Sequence, residues 1–357
     1  MKRRNIITIK FAALLGLPLL LTACSLMKED RSDCPDCRNP LHIKLRYDYN
    51  IQRANMFGDH VEEATVYVVD ASNNMVIDYQ TARNSAVSKP LREPMFAFNF
   101  EGLKAGNYRL FATGRSAADA SIGLTTPSVS ESIDKLKFSL PVAESAVGAQ
   151  RLDTIWNTLH PVDIIVPESE PIEATVGLMR LTNDLNVIVF RRDNPTDNRH
   201  ERYDVNVTDE YSQLGYDNEP ASIISVTYQP FAAWTTETYV EEPSSATRST
   251  VAERNAHYDF SLFRLISHSD SRQNPRLVIR NHETGHEIVN IDLCYYLALA
   301  RNAYELQNYS PQEYLDREYD YRLDFGIEGS GSNETWKYMT ISINVLSWAI
   351  RIQNEAL

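Results

Sequence analysis

From Leu41 to Tyr49 apolar and polar residues alternate without a break. Leu41, Ile43, Leu45, Tyr47 and Tyr49 fall on one side; His42, Lys44, Arg46 and Asp48 fall on the other. A period of two fits a half-buried strand and no helix. The pattern recurs along the chain. Residues 64–69 and 75–79 flank Ser72-Asn73-Asn74, and asparagine tolerates the positive φ of a tight hairpin turn. Residues 95–100, 102–112, 162–166, 176–190, 203–207, 223–228 and 258–266 read as further strands. So do 276–280 and 287–293, which flank a short polar turn. Residues 241–256 are polar and rich in Ser and Thr, and are expected to be a surface loop. One clear helix start occurs, at Ser310-Pro-Gln-Glu313, with an N-cap serine and Pro at the first helical position. That helix must be short, because Tyr321, Leu323, Phe325 and Ile327 alternate again. A chain of 357 residues is long enough for two such domains. Strands at short spacing with few helical runs predict a mostly β chain of two sandwiches in series.

The N-terminus fixes the compartment. Lys2, Arg3, Arg4 and Lys10 precede an apolar run of 11 residues, Phe11 to Leu21. A spanning helix needs about 20 residues, so this run reads as the core of an export signal. Leu21-Thr22-Ala23-Cys24 then resembles a bacterial lipobox, in which the cysteine is acylated and the chain is cut before it. Residues 1–23 are thus expected to be a lipoprotein signal peptide, Cys24 the lipid-attachment site and 24–40 a polar tether. Glu29, Asp30 and Asp33 in that tether are similar to the surface-export signal of some outer-membrane lipoproteins; a plain solvated tether is the alternative.

Removal of residues 1–23 leaves 31 Lys and Arg against 48 Asp and Glu, a net charge of −17. Phosphate recognition needs clustered cations, so the balance argues against a nucleic-acid partner. Cys34-Pro-Asp-Cys37 is a C-x-x-C in a polar tether, not at the helix start a thioredoxin-like site requires, and no second pair completes a zinc ribbon. A local disulfide, or two structural thiols, is the expectation for Cys34 and Cys37. Cys294 lies in an apolar run and reads as core.

His282-Glu-Thr-Gly-His286 matches the H-E-x-x-H of zinc proteases letter for letter. That chemistry needs both imidazoles on one face of a helix. Here β-type runs flank the motif and Gly285 disfavours a helix, so a hairpin tip is expected. No G-x-S-x-G, P-loop or dinucleotide fingerprint is present. The expectation is no enzyme, no metal and no cofactor.

The order of features resembles the FimB family of fimbrial anchor and assembly lipoproteins of type V fimbriae. Four segments carry the resemblance: the lipobox with Asp33-Cys34-Pro35 and Tyr47-Asp-Tyr-Asn50; Val66-Tyr-Val-Val-Asp70; Leu178-Met-Arg-Leu-Thr-Asn183; and Tyr314-Leu-Asp-Arg-Glu318 followed by Trp336 and Ile341-Ser-Ile-Asn-Val345. It implies two tandem transthyretin-like Greek-key sandwiches, placed here at 41–166 and 171–357. It also implies a lipid anchor in the outer membrane holding the base of a fimbrial shaft, with shaft or other fimbrial subunits as partners. A surface adhesin or tip-like subunit, and a glycan-binding surface lipoprotein, are the alternatives. The C-terminus supplies the candidate contact. Met339, Ile341, Ile343 and Val345 are apolar at odd positions, then Leu346, Trp348, Ile350 and Ile352 at even ones. A strand cannot change face without a bulge or break, expected near Val345-Leu346. The second half, with Leu346, Trp348, Ile350 and Ile352, is either docked on its own domain or offered as a donor-type strand to the next subunit.

Overall fold

The computed structural model describes residues 40–355 except 117–120, 144–145, 148–149, 169, 242–249, 303–305 and 346–347. Cys24, Cys34 and Cys37 lie outside the described residues.

The strand Leu41–Arg46 forms where the alternation is cleanest, with Leu41, Ile43 and Leu45 buried. It pairs in parallel with Ile172–Arg180 along its whole length, Leu41 opposite Ile172 and Arg46 opposite Gly177. Phe98–Phe100 pairs antiparallel on its other side. They belong to an eight-stranded sheet whose order is Val76–Arg83, Glu63–Asp70, Gly106–Arg115, Ile155–Thr158, Ile172–Arg180, Leu41–Arg46 and Phe98–Phe100, with Val162–Val166 also beside Gly106–Arg115. Ile43 and Phe100 from one end share a core with Val66, Val68 and Leu110 from the other, so the sheet folds over itself into a nearly closed sandwich. Glu63–Asp70 reads as an unbroken apolar run because both its faces are covered. Val66 and Val68 face that core, while Tyr67 and Val69 pack with Phe111, Ile133 and Leu136. The hairpin turn falls where expected, with Asn74 at φ +59°.

The remaining strands form two six-stranded sheets over one larger core. The first runs Ala232–Glu241, Thr250–Phe263, Thr182–Arg191, Asp320–Glu328, Thr335–Val345 and Trp348–Glu355. The second runs Glu287–Asp292, Arg276–Asn281, Tyr203–Asp209, Val226–Tyr228, Ala146–Val147 and Val142–Ala143. Val187, Phe260, Leu323 and Phe325 from the one share the core with Val205, Val207, Ile279 and Val289 from the other. A small sheet, Pro220–Ser222, Gln213–Gly215, Lys137–Ser139 and Gly123–Thr125, bridges early and late parts of the chain. Two short helices, Leu293–Ala298 and Pro311–Arg317, contribute buried Leu293, Cys294, Leu297, Tyr314 and Leu315. Ser310 caps the second as the sequence predicts, accepting the Glu313 N–H at 3.0 Å.

Three readings of the sequence need correction. The apolar run 176–190 is not one strand. It divides at Leu181 into Ile172–Arg180 in the first sheet and Thr182–Arg191 in the second sandwich. Leu181 itself bonds back to the Ile155 carbonyl at 2.9 Å. The stretch 241–256 is not all loop, because Thr250–Phe263 is a 14-residue strand paired with Ala232–Glu241. Threonine and valine suit a pleated, half-buried surface, but the polar residues around them concealed the strand. The expected strand 223–228 is shorter, Val226–Tyr228, with Ile223 and Ile224 exposed.

Candidate functional site

The C-terminal edge is assembled by a hairpin. Thr335–Val345 pairs antiparallel with Trp348–Glu355, placing Val345 opposite Trp348, Ile343 opposite Ile350 and Ile341 opposite Ile352. This register explains the change of parity at Val345. Two residues separate the strands, so odd-numbered residues of one pair with even-numbered residues of the other. The bulge or break expected near Val345-Leu346 is a break, at which the chain reverses between two paired strands. Trp348, Ile350 and Ile352 thus lie on the last strand of the six-stranded sheet; Leu346 lies outside the described residues. No further strand pairs with Trp348–Glu355 among the described residues. About half the backbone N–H and C=O groups of an antiparallel edge strand point away from its sheet.

Toward the other end of the described residues, Leu41–Arg46 has a strand on each side. Between these ends the two sandwiches are joined by buried polar contacts that periodicity does not reveal. Trp156, next to the first of these joints, is buried edge-on to Tyr47 within the first core, with ring centroids 5.7 Å apart. The Asn157 amide donates to the Tyr216 carbonyl at 2.9 Å and to Asn218 Oδ1 at 2.7 Å. The Asn218 amide returns a bond to the Thr158 carbonyl at 2.8 Å. Asn218 holds this position at φ +67°, a left-handed conformation asparagine tolerates. Arg264 donates to the Asn218 carbonyl at 2.6 Å and grips Asp316 with two bonds of 2.8 and 2.9 Å. A second joint sets the Arg317 guanidinium 4.0 Å over the Tyr49 ring, while Arg53 donates to the Tyr309 hydroxyl at 2.9 Å. At a third, Arg180 meets Asp184 at 2.9 Å and stacks 4.3 Å over Tyr319.

Two buried carboxyls accompany these joints. Glu318 accepts the N–H groups of Tyr319 and Asp320 at 2.9 and 3.0 Å. Burial nevertheless pushes its pKa up to about 7. Asp209 accepts the Glu210 N–H at 2.7 Å and is also pushed by burial to about 7.

The H-E-x-x-H segment occupies the tip of the hairpin Arg276–Asn281/Glu287–Asp292, with Gly285 at φ +68°. Its imidazoles serve different partners. His282 Nδ1 lies 2.9 Å from Asp204 Oδ1, and His286 Nε2 lies 2.9 Å from the Glu334 carbonyl. Among the described residues no group of three or more His, Cys, Asp or Glu could hold a metal ion. Nor is any helix among them long and apolar enough to cross a membrane.

Beside that hairpin lies a buried charge cluster that periodicity does not reveal. Glu334 is buried, and its carboxylate accepts Arg191 at 2.7 Å, Arg202 at 3.0 Å and Asn281 at 2.7 Å. The loop leading to it requires glycine. Gly329 sits at φ +101°, and a Cβ there would come within 2.4 Å of the Asn333 carbonyl oxygen.

Among the described residues, then, Leu41–Arg46 is flanked on both sides, buried contacts join the two sandwiches, and Trp348–Glu355 is paired on one side. The family model described as fimbrillin-A associated anchor proteins Mfa1 and Mfa2 matches residues 31–354. The chain belongs to that family. It is therefore a fimbrial anchor or assembly protein of the outer-membrane surface, and not an enzyme. Solved structures share its fold. A candidate adhesin from Bacteroides thetaiotaomicron is 24% identical with a TM-score of 0.70, covering 89% of this chain and 99% of that one. A candidate polysaccharide-binding protein from the same organism is 24% identical with a TM-score of 0.67, over the same shares. The fimbrial anchor protein Mfa2 from Porphyromonas gingivalis is 14% identical with a TM-score of 0.61, covering 88% and 99%. No curated protein sequence matches significantly.

Proposed function

We propose that this chain is a FimB-type anchor that holds the base of a fimbrial shaft at the outer membrane. Residues 1–23 are cleaved, Cys24 carries the acyl chains, and 24–40 is the tether, with Cys34 and Cys37 as a local disulfide or two structural thiols. Two or more acyl chains hold such a protein stably, at about 0.8 kcal/mol per buried CH₂. Two tandem sandwiches of transthyretin type follow, with the boundary at Leu181. The shaft subunit adds to the edge strand that carries Trp348, Ile350 and Ile352, extending a six-stranded sheet by main-chain bonds.

The observation that carries this reading is the asymmetry of the two ends. Leu41–Arg46 is flanked on both sides, so this strand itself has no free edge to offer. Trp348–Glu355 is paired on one side among the described residues. A strand of this length could add on the order of five main-chain hydrogen bonds, each about 1 kcal/mol net. The test is deletion of residues 346–357 in a strain that displays shafts. The expected result is a folded, lipidated protein with shafts shed into the medium. Shafts retained by the truncated protein would overturn the edge contact. Loss of folding, read by near-UV circular dichroism, would assign the segment to the core.

A further inference from the structure

The large sheet has a second face, turned away from its core. Ala256, Val189, Phe325 and Met339 form one register row across four strands, and all are buried. The next row is Asn255, Phe190, Gly326 and Tyr338, and alternation turns it to the outer face. Gly326 is the centre of that row. A Cβ there would lie 2.9 Å from the Phe190 ring and 3.2 Å from the Tyr338 ring. The two rings therefore reach over the glycine from both sides and leave an apolar shelf beside Arg192, which any larger residue at 326 would split.

A cavity of about 670 Å³ opens at this shelf, bounded by Phe190, Tyr338, Asn255 and Thr340, with Arg192, Arg254 and Glu253 also lining it. Its volume falls within the range of small-ligand sites. Arg254 is engaged, donating to Glu237 and to the Thr196 carbonyl at 2.7 Å each. Arg192 is exposed, and its guanidinium lies 4.3 Å over the Tyr338 ring. It has no carboxylate partner among the described residues. The Asn255 amide and the Thr340 hydroxyl also make no side-chain hydrogen bond among the described residues.

These groups share one complement. The C–H face of a pyranose packs on a flat aromatic shelf. Asparagine and threonine side chains bond ring hydroxyls. A planar guanidinium held by stacking takes a carboxylate through two parallel bonds. A neutral sugar would leave Arg192 unused, and a bare anion would leave the shelf unused. We propose that this cavity binds an acidic sugar residue of a surface glycan, with its carboxylate on Arg192 and its ring on Phe190 and Tyr338. The anchor would then hold a glycan as well as a shaft.

The test is calorimetric titration of the full mature lipoprotein in detergent micelles. The probes are a hyaluronan tetrasaccharide, its carboxyl-reduced neutral counterpart, 3′-sialyllactose and lactose. Binding is expected for at least one acidic probe and at least tenfold weaker for its neutral partner, the loss of one charge-assisted contact pair. Arg192→Ala removes an exposed side chain and should keep the fold while weakening the acidic probe by a similar factor. Tyr338→Ala should weaken both members of the binding pair. Which acidic probe binds distinguishes a uronate from a sialate. Equal binding of acidic and neutral partners, unchanged binding in Arg192→Ala, or no binding of either acidic probe at ~10 mM overturns the proposal.

Discussion

Replacing Glu334 by alanine should destabilise the second sandwich more than any exposed substitution. The side chain is fully buried and accepts three bonds, from Arg191, Arg202 and Asn281. Two of the donors are cations, and the Arg191 side chain is itself only 4% exposed. Removing one partner of a buried ion pair typically costs about 3–5 kcal/mol, because the other charge is left in a poor solvent. Two features place this site at the lower end. Arg191 keeps Asp193 at 3.1 Å and the Gly329 carbonyl, and Arg202 keeps Asp197 at 2.9 Å while remaining 29% exposed. The expected loss is therefore about 3 kcal/mol. Glu334→Gln keeps the shape and one acceptor oxygen and should lose about half as much. With a urea slope of about 2 kcal/mol/M, the alanine midpoint falls by about 1.5 M and the glutamine midpoint by less than 1 M. The assay is urea unfolding of the full mature chain in detergent, followed by near-UV circular dichroism. A shift below about 0.5 M for alanine, or equal shifts for the two variants, would refute the claim that a buried charge organises this corner.

Stability should also depend on pH through the buried carboxyls. The folded-state pKa of Glu318 is raised to about 7 by burial, so the folded protein binds that proton more tightly than the unfolded chain. Its contribution is full below about pH 4.5 and lost as pH rises through about 7, and Asp209 acts in the same direction. Urea midpoints should fall between pH 5 and pH 8, and Glu318→Gln combined with Asp209→Asn should flatten that slope; a midpoint that rises over this window contradicts the assignment. Cys24→Ser should abolish acyl labelling and leave unprocessed or soluble protein, and normal labelling of that variant would remove the anchor.

The sequence was most legible where structure is local. The Ser310 cap, the Asn74 turn and the Leu41–Arg46 alternation are each set by residues a few positions apart, and each stands as expected. Long-range partners left no such trace. Nothing near Ile172 says that it pairs with Leu41, and the run across Leu181 keeps its apolar character while moving from one sheet to another. Among the candidate contact residues, the parity change at Val345 was visible, but period alone could not separate a bulge from a reversal. Glu334 sits in the polar stretch Gly329-Ser-Gly-Ser-Asn-Glu334, which reads as solvated loop. Only the two glycines hinted that the backbone there was constrained. The Phe190–Gly326–Tyr338 shelf was hidden for the same reason, since its three members come from three strands.

An anchor of the proposed kind must carry a pull from shaft to membrane, and that load would cross the buried junction. With the shaft on the proposed edge, force would enter at Trp348–Glu355 and pass to Thr335–Val345 and Asp320–Glu328 by antiparallel ladders. It reaches Thr182–Arg191 by a parallel ladder from Asp184–Asp320 to Arg191–Ile327. From there the chain is continuous through Leu181 into Ile172–Arg180, which pairs in parallel with the tether strand. A pull along a parallel ladder strains many hydrogen bonds together, whereas peeling an edge breaks them singly. Only a hinge at Leu181 could let the two sandwiches swing and turn that shear into peeling. The Asn157–Asn218–Arg264–Asp316 chain and the Arg317–Tyr49 stack lock the angle on either side of it.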